Sequence, residues 1–124
     1  MLTIERPAVQ SPTVDVAGYW CQWSGINPAT GIVHPLGGAA TLTPRLAMRW
    51  AHQRAQAIAT QLDPPASWVI SGWTQDLAEL ERALYQIRVG IEYTRTFYEE
   101  SARYVLSVRP VTDDQPTAPI GGGW

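Results

Sequence analysis

The residues able to do bond chemistry in this chain are few and scattered. Its soft and imidazole ligands are Cys21, His34 and His52, one on each of three segments. A structural zinc site needs close pairs such as Cys-x-x-Cys or His-x-x-x-His, and neither occurs. A nucleophilic hydrolase needs a Ser or Cys beside a base, often on a turn flanked by glycines. Ser24 and Ser71 each have a single flanking glycine. Cys21 and His34 can be drawn as a dyad, but a lone cysteine in an apolar strand reads as a core residue. Glu99–Glu100 and Asp113–Asp114 are paired carboxylates in a loop and a Pro-rich end, where nothing fixes or desolvates them for acid–base work. Gly37-Gly38 precedes a helix without the Lys of a phosphate loop. His34 reads as a loop residue and His52 as a solvated one beside the polar stripe of a helix. The expectation is a non-enzymatic protein with no catalytic residue, no cofactor and no metal; a small enzyme with an unrecognised site is the last alternative.

The aromatic residues carry a different chemistry. Tyr19, Trp20 and Trp23 crowd one strand, and positions three apart on a strand face opposite ways, so one Trp is core and the other surface. A surface Trp either anchors a protein interface or stacks on a sugar ring. Trp124 follows Gly121, Gly122 and Gly123, which separate it from the domain, so with Ile120 it reads as an anchor for a pocket on a neighbour. The candidate interface residues are thus Tyr19, Trp20, Trp23, Ile120 and Trp124.

Composition agrees with a contact-making protein. The chain has 124 residues, enough for one domain. Charged residues are only 16%, while there are six Trp and five Tyr, the direction in which interfaces depart from other surfaces. Every basic residue is Arg, which suits static, partly buried contacts. The net charge of -2 argues against a sequence-specific nucleic-acid binder. A single Cys fits a reducing compartment. No apolar run approaches a membrane span, and the first residues lack the pattern of a signal peptide.

The elements that must position these residues follow from local signals. Residues 1–13, with Pro7 and Pro12, read as an N-terminal arm, residues 14–111 as the domain, and residues 112–124 as a C-terminal arm. A strand is expected at Val14–Ser24, a turn at Asn27–Gly31, and a short strand at Ile32–His34 ended by Pro35, Gly37 and Gly38. Thr43 caps a helix with Pro44 in its first turn, running to about Leu62 before Asp63-Pro64-Pro65. Ala47, Ala51, Ala55, Ile58 and Leu62 form its inward stripe. Arg45, Arg49, Gln53, Gln56 and Thr60 form the solvated one. The apolar run within Ser67–Gly72 reads as a buried strand. Thr74 is expected to cap a second helix to about Leu84, with Leu77, Leu80 and Leu84 inward.

From Tyr85 onward a heptad-like pattern competes with alternation, and pairing decides. A hairpin with its loop at Glu99–Ala102 sets Phe97 opposite Tyr104, Thr94 opposite Ser107, Tyr93 opposite Val108 and Glu92 opposite Arg109, each match contributing roughly 0.2–1 kcal/mol. Arg95 opposite Leu106 is the poor match. The fold class is therefore α+β: a small single domain, mainly antiparallel sheet with two helices packed on one face, a C-terminal β-hairpin, and extended N- and C-terminal arms.

Holding a dozen-residue arm in one shape costs about 12–25 kcal/mol, which requires roughly 500–1000 Å2 of apolar burial. A domain this small is not expected to supply that twice, so the arms point to protein partners. The leading expectation is a structural subunit of a symmetric assembly, a homo-oligomer or a set of neighbouring subunits. A phage virion component (head, neck, tail or baseplate) assembled in the host cytoplasm is the specific form, by analogy of architecture. The alternative is a small ligand- or glycan-binding module built on Tyr19, Trp20 or Trp23.

Overall fold

The computed structural model describes residues 16–112. The two arms expected from sequence, apart from Thr112, lie outside these residues, and Ile120 and Trp124 with them. The order of elements is β1 (Val16–Ile26), β2 (Val33–Thr41), α1 (Pro44–Ala59), α2 (Ala66–Thr74), α3 (Leu77–Arg88), β3 (Tyr93–Glu99) and β4 (Ala102–Thr112). The strands form one antiparallel sheet in the order β2-β1-β4-β3. The three helices cover one face of it, so the protein is a small single α+β domain, as its sequence implies.

On β1 the period of two places Tyr19, Cys21 and Trp23 in the core and Trp20, Gln22 and Ser24 on the opposite face. Asn27 organises the turn. Its side-chain oxygen accepts from the amide of Ala29 at 2.9 Å, and Gly31 takes φ +75°. β2 does not stop at Pro35 as expected but continues to Thr41. Two physical features permit this. β2 is an edge strand, where a proline can be placed without breaking a ladder on both sides. A register shift opposite Trp23 and Ser24 also absorbs the irregularity. Gly38 belongs within the strand because the Trp20 indole lies over it. A Cβ there would sit 2.8 Å from Cζ2 of that ring.

α1 starts as expected, with the Thr43 hydroxyl accepting from the Leu46 amide at 3.1 Å. It ends at Ala59, one turn short of Leu62. Ala47, Ala51, Ala55 and Ala59 face inward with Met48, and their small side chains let the helix lie close on β1. The Trp23 indole reaches the backbone of α1 and donates to the Ala51 carbonyl at 3.1 Å.

Residues 66–74 are helical, not a strand. Trp68-Val69-Ile70 is a continuous apolar run, which fits a buried strand or a helix segment equally. The fold chooses helix because Ala66, Ile70 and Trp73 then turn inward together, at spacings of four and three. The next helix is capped by Asp76, whose carboxylate accepts from the Glu79 amide at 3.0 Å, and not by Thr74. It also runs a turn further, to Arg88, and buries Ala83, Leu84 and Ile87. Leu77, expected inward, stands 73% exposed at its start.

The β3–β4 hairpin has the register read from the sequence, with Tyr93 opposite Val108, Thr94 opposite Ser107, and Phe97 opposite Tyr104. Glu99 and Ala102 close the ladder themselves, so the turn is Glu100-Ser101. Glu92 precedes the strand and accepts from the Ser107 hydroxyl at 2.6 Å. The core lies between sheet and helices. At its centre Trp23 meets Trp73 edge-on at 6.2 Å and Phe97 at 5.9 Å.

Candidate functional site

The aromatic strand divides sharply. Tyr19 and Trp23 are core residues and present no free surface, which corrects their use as anchors on this chain's own exterior. Trp20 lies on the face turned away from the helices, half-buried. Its indole donates to the Gln22 side-chain oxygen at 3.1 Å, and the Gln22 amide donates to Ser24 Oγ at 3.1 Å. Strand register adds Thr94, Thr96, Tyr98, Arg103, Val105, Ser107 and Arg109 to this face. It presents hydroxyl, amide and guanidinium groups between two aromatic side chains, groups able to hydrogen-bond and stack.

Two large departures from ordinary acidity occur together on the helix-covered side. The Glu79 carboxylate accepts two hydrogen bonds from Arg82, at 3.0 and 2.9 Å, and one from the Tyr93 hydroxyl at 2.7 Å. Arg95, the poor cross-strand match, comes within 3.7 Å of the same oxygen. Tyr93 in turn accepts from the Trp73 indole at 3.1 Å. The Arg82 hydrogen bonds lower the Glu79 pKa most. Burial pushes it back, and the Tyr93 hydroxyl with the charges of Arg82 and Arg95 brings it to about 2. Burial first, then the Glu79 hydrogen bond, raises Tyr93 to about 12. An acid ionised at all physiological pH and a phenol protonated there are poorly poised for proton transfer. They instead tie α3 to β3 and α2 as a polar clasp.

The remaining reactive groups are likewise held in structure. Cys21 is fully buried, and its thiol is pushed up to about 11 by desolvation, only partly offset by Thr41. His52 is not a solvated residue. It is half-buried, packs edge-on against Trp73 at 4.6 Å, and burial lowers its pKa. His34 is exposed. Among the described residues no group of three or more His, Cys, Asp or Glu converges to hold a metal ion. No helix among them is long and apolar enough to cross a membrane.

What the surface does present is apolar side chains on the helical layer. Trp68 is 70% exposed and its neighbour Val69 54%. α2 is thus apolar on both sides, with Ile70 and Trp73 in the core and Trp68 and Val69 in solvent. Reading the segment as a buried strand hid this. The three-residue spacing of Ile70 and Trp73 was the signal that could have exposed it. A second surface is a groove of about 310 Å3 between α1 and α3, floored by Met48, Leu80 and Leu84 and edged by Arg45, Arg49 and His52.

The chain matches no protein-family model, no curated protein and no solved structure. Its geometry offers a polar sheet face, an apolar helix edge and a groove edged by arginines.

Proposed function

We propose that this protein is a non-enzymatic structural subunit of a larger symmetric protein assembly, held to neighbouring subunits through its helical layer and its sequence-terminal segments. The observation that carries this reading is α2. It buries Ile70 and Trp73 and at the same time turns two large apolar side chains, Trp68 and Val69, to solvent, and exposed apolar patches mark interaction sites. A partner covering those two side chains completes the burial. Trp is the residue type that most often dominates interface energy, and full burial of a Trp68-Val69 pair offers a gain of about 3–5 kcal/mol.

A phage virion component, in the head, neck, tail or baseplate, is the specific form of this reading. It rests on architectural analogy: a small α+β domain flanked by Pro- and Gly-rich segments suits a particle whose subunits lace into one another. The test is the mass of the full chain in solution, measured by sedimentation against concentration, alone and with Trp68→Ser and Val69→Ser. Concentration-dependent association that weakens in both variants supports the reading. A strict monomer whose behaviour neither substitution changes refutes self-assembly through α2.

A glycan-binding module is the second reading, favoured by one observation. The Trp20 ring edge lies against Gly38 on the open sheet face, beside the Gln22–Ser24 hydrogen-bonded pair. Of the three aromatic residues considered for that role, Trp20 alone lies on this face. A Trp fluorescence titration against a glycan panel tests it, and no response across the panel ends it.

A further inference from the structure

The groove between α1 and α3 has a chemistry that the rest of the molecule complements. Arg45 and Arg49, one helical turn apart, stand over an apolar floor of Met48, Leu80 and Leu84. Arg45 is paired only loosely, with Glu81 at 3.9 Å and both side chains 68% exposed, an ion pair of little energetic weight. Arg49 is exposed, and among the described residues no hydrogen bond, ion pair or ring contact engages it. In a chain of net charge -2 this is a local concentration of positive charge beside an apolar surface.

The tip of the β3–β4 hairpin has the opposite character. Glu100 stands in the two-residue turn, exposed and likewise without a partner among the described residues. Glu99 is occupied differently, accepting from both the amide and the hydroxyl of Ser101 and so stiffening the turn. Tyr98, next to the turn, is 68% exposed, its ring under the Arg103 guanidinium at 5.6 Å. The tip therefore carries one exposed carboxylate with no partner among the described residues and one large exposed aromatic side chain.

We infer that the α1–α3 groove receives the β3–β4 hairpin tip of a second copy of this chain, Glu100 meeting Arg49 and Arg45 while Tyr98 covers the Met48–Leu80–Leu84 floor. The contact forms in trans. No strand residue lines the groove, which opens on the helical layer, whereas the tip lies at the end of the sheet. Groove and tip are different surfaces, so the contact is heterologous and propagates copy to copy, closing into a ring or extending as a filament. The charge pair fixes register and specificity, and the apolar floor supplies affinity. This inference rests on the subunit reading above and names one of its contacts.

A charge swap tests it. The full chain is followed by sedimentation at about 50 mM and about 500 mM salt, with Arg49→Glu, Glu100→Arg, the two combined, and Tyr98→Ala. Near-ultraviolet circular dichroism checks that each variant keeps the parent fold, which the exposure of all three sites leads us to expect. Each single charge reversal is expected to weaken association at least about tenfold at low salt, and the combined variant to recover to within about threefold of the parent. Tyr98→Ala weakens association with unchanged salt dependence. A combined variant no tighter than either single one overturns the inference. Association that no substitution alters also overturns it, while leaving the subunit reading intact. A chain that stays monomeric overturns it as well, and self-assembly through α2 with it.

Discussion

Replacing Glu79 with Gln removes the charge at the centre of the clasp while keeping its shape. Glu79 is only 16% exposed, and its pKa is held at about 2, against 4.5 for an unperturbed Glu. That difference corresponds to about 3 kcal/mol at full strength. Arg82, its main partner, is largely in water, and screening there reduces the expected net contribution to about 2 kcal/mol. The sign follows from linkage. A carboxyl whose folded pKa is depressed stabilises the fold fully above its unfolded pKa of about 4.5 and loses that contribution as pH falls through about 2. Urea unfolding followed by Trp fluorescence, repeated from pH 7 down to pH 2, measures this directly. The parent should lose about 2 kcal/mol more over the acid range than Glu79→Gln does, and the two should converge near pH 2. Parallel pH profiles would show that the clasp carries no net electrostatic stabilisation. Tyr93→Phe supplies the cross-check. It leaves the buried Trp73 indole without its acceptor, at about 1–3 kcal/mol. Its effect should be non-additive with Glu79→Gln by at least about 0.5 kcal/mol.

Three further outcomes are expected. Cys21, buried with its thiol raised to about 11, should resist a thiol-specific disulfide reagent in the native protein and react promptly in denaturant. Equal rates in the two states would mean the strand opens readily. Gly38→Ala places a methyl 2.8 Å from the Trp20 ring, so the indole must move aside and the near-ultraviolet circular dichroism should shift. An unchanged spectrum would place the indole elsewhere. Thr43→Ala removes the cap acceptor of the Leu46 amide and should destabilise the protein by about 1 kcal/mol, measured as a lower denaturation midpoint with an unchanged m-value.

Much of the architecture was legible because the relevant forces are local. The Thr43-Pro44 start of α1 is capping chemistry contained in two adjacent residues. The β3–β4 register could be read because hydrophobic alternation admits one alignment, and a slip by one residue would have turned both apolar faces outward. The inside-outside split of Trp20 and Trp23 needed only the pleat of a strand. What was not legible depends on residues far apart in the chain. Arg95 looked like a mismatch until the fold brought Glu79 to it from another element. Pro35 and Gly38 looked like a strand's end until β2 proved to be an edge and Trp20 proved to lie across it. Trp68-Val69-Ile70 is consistent with strand or helix by composition alone. Packing chose helix by offering an inward surface to Ile70 and Trp73, and the same choice left Trp68 in solvent. Local stereochemistry therefore set the elements that begin and end on their own signals, whereas burial, which is shared among distant residues, set which side of each element meets water and with it the surfaces left for a partner.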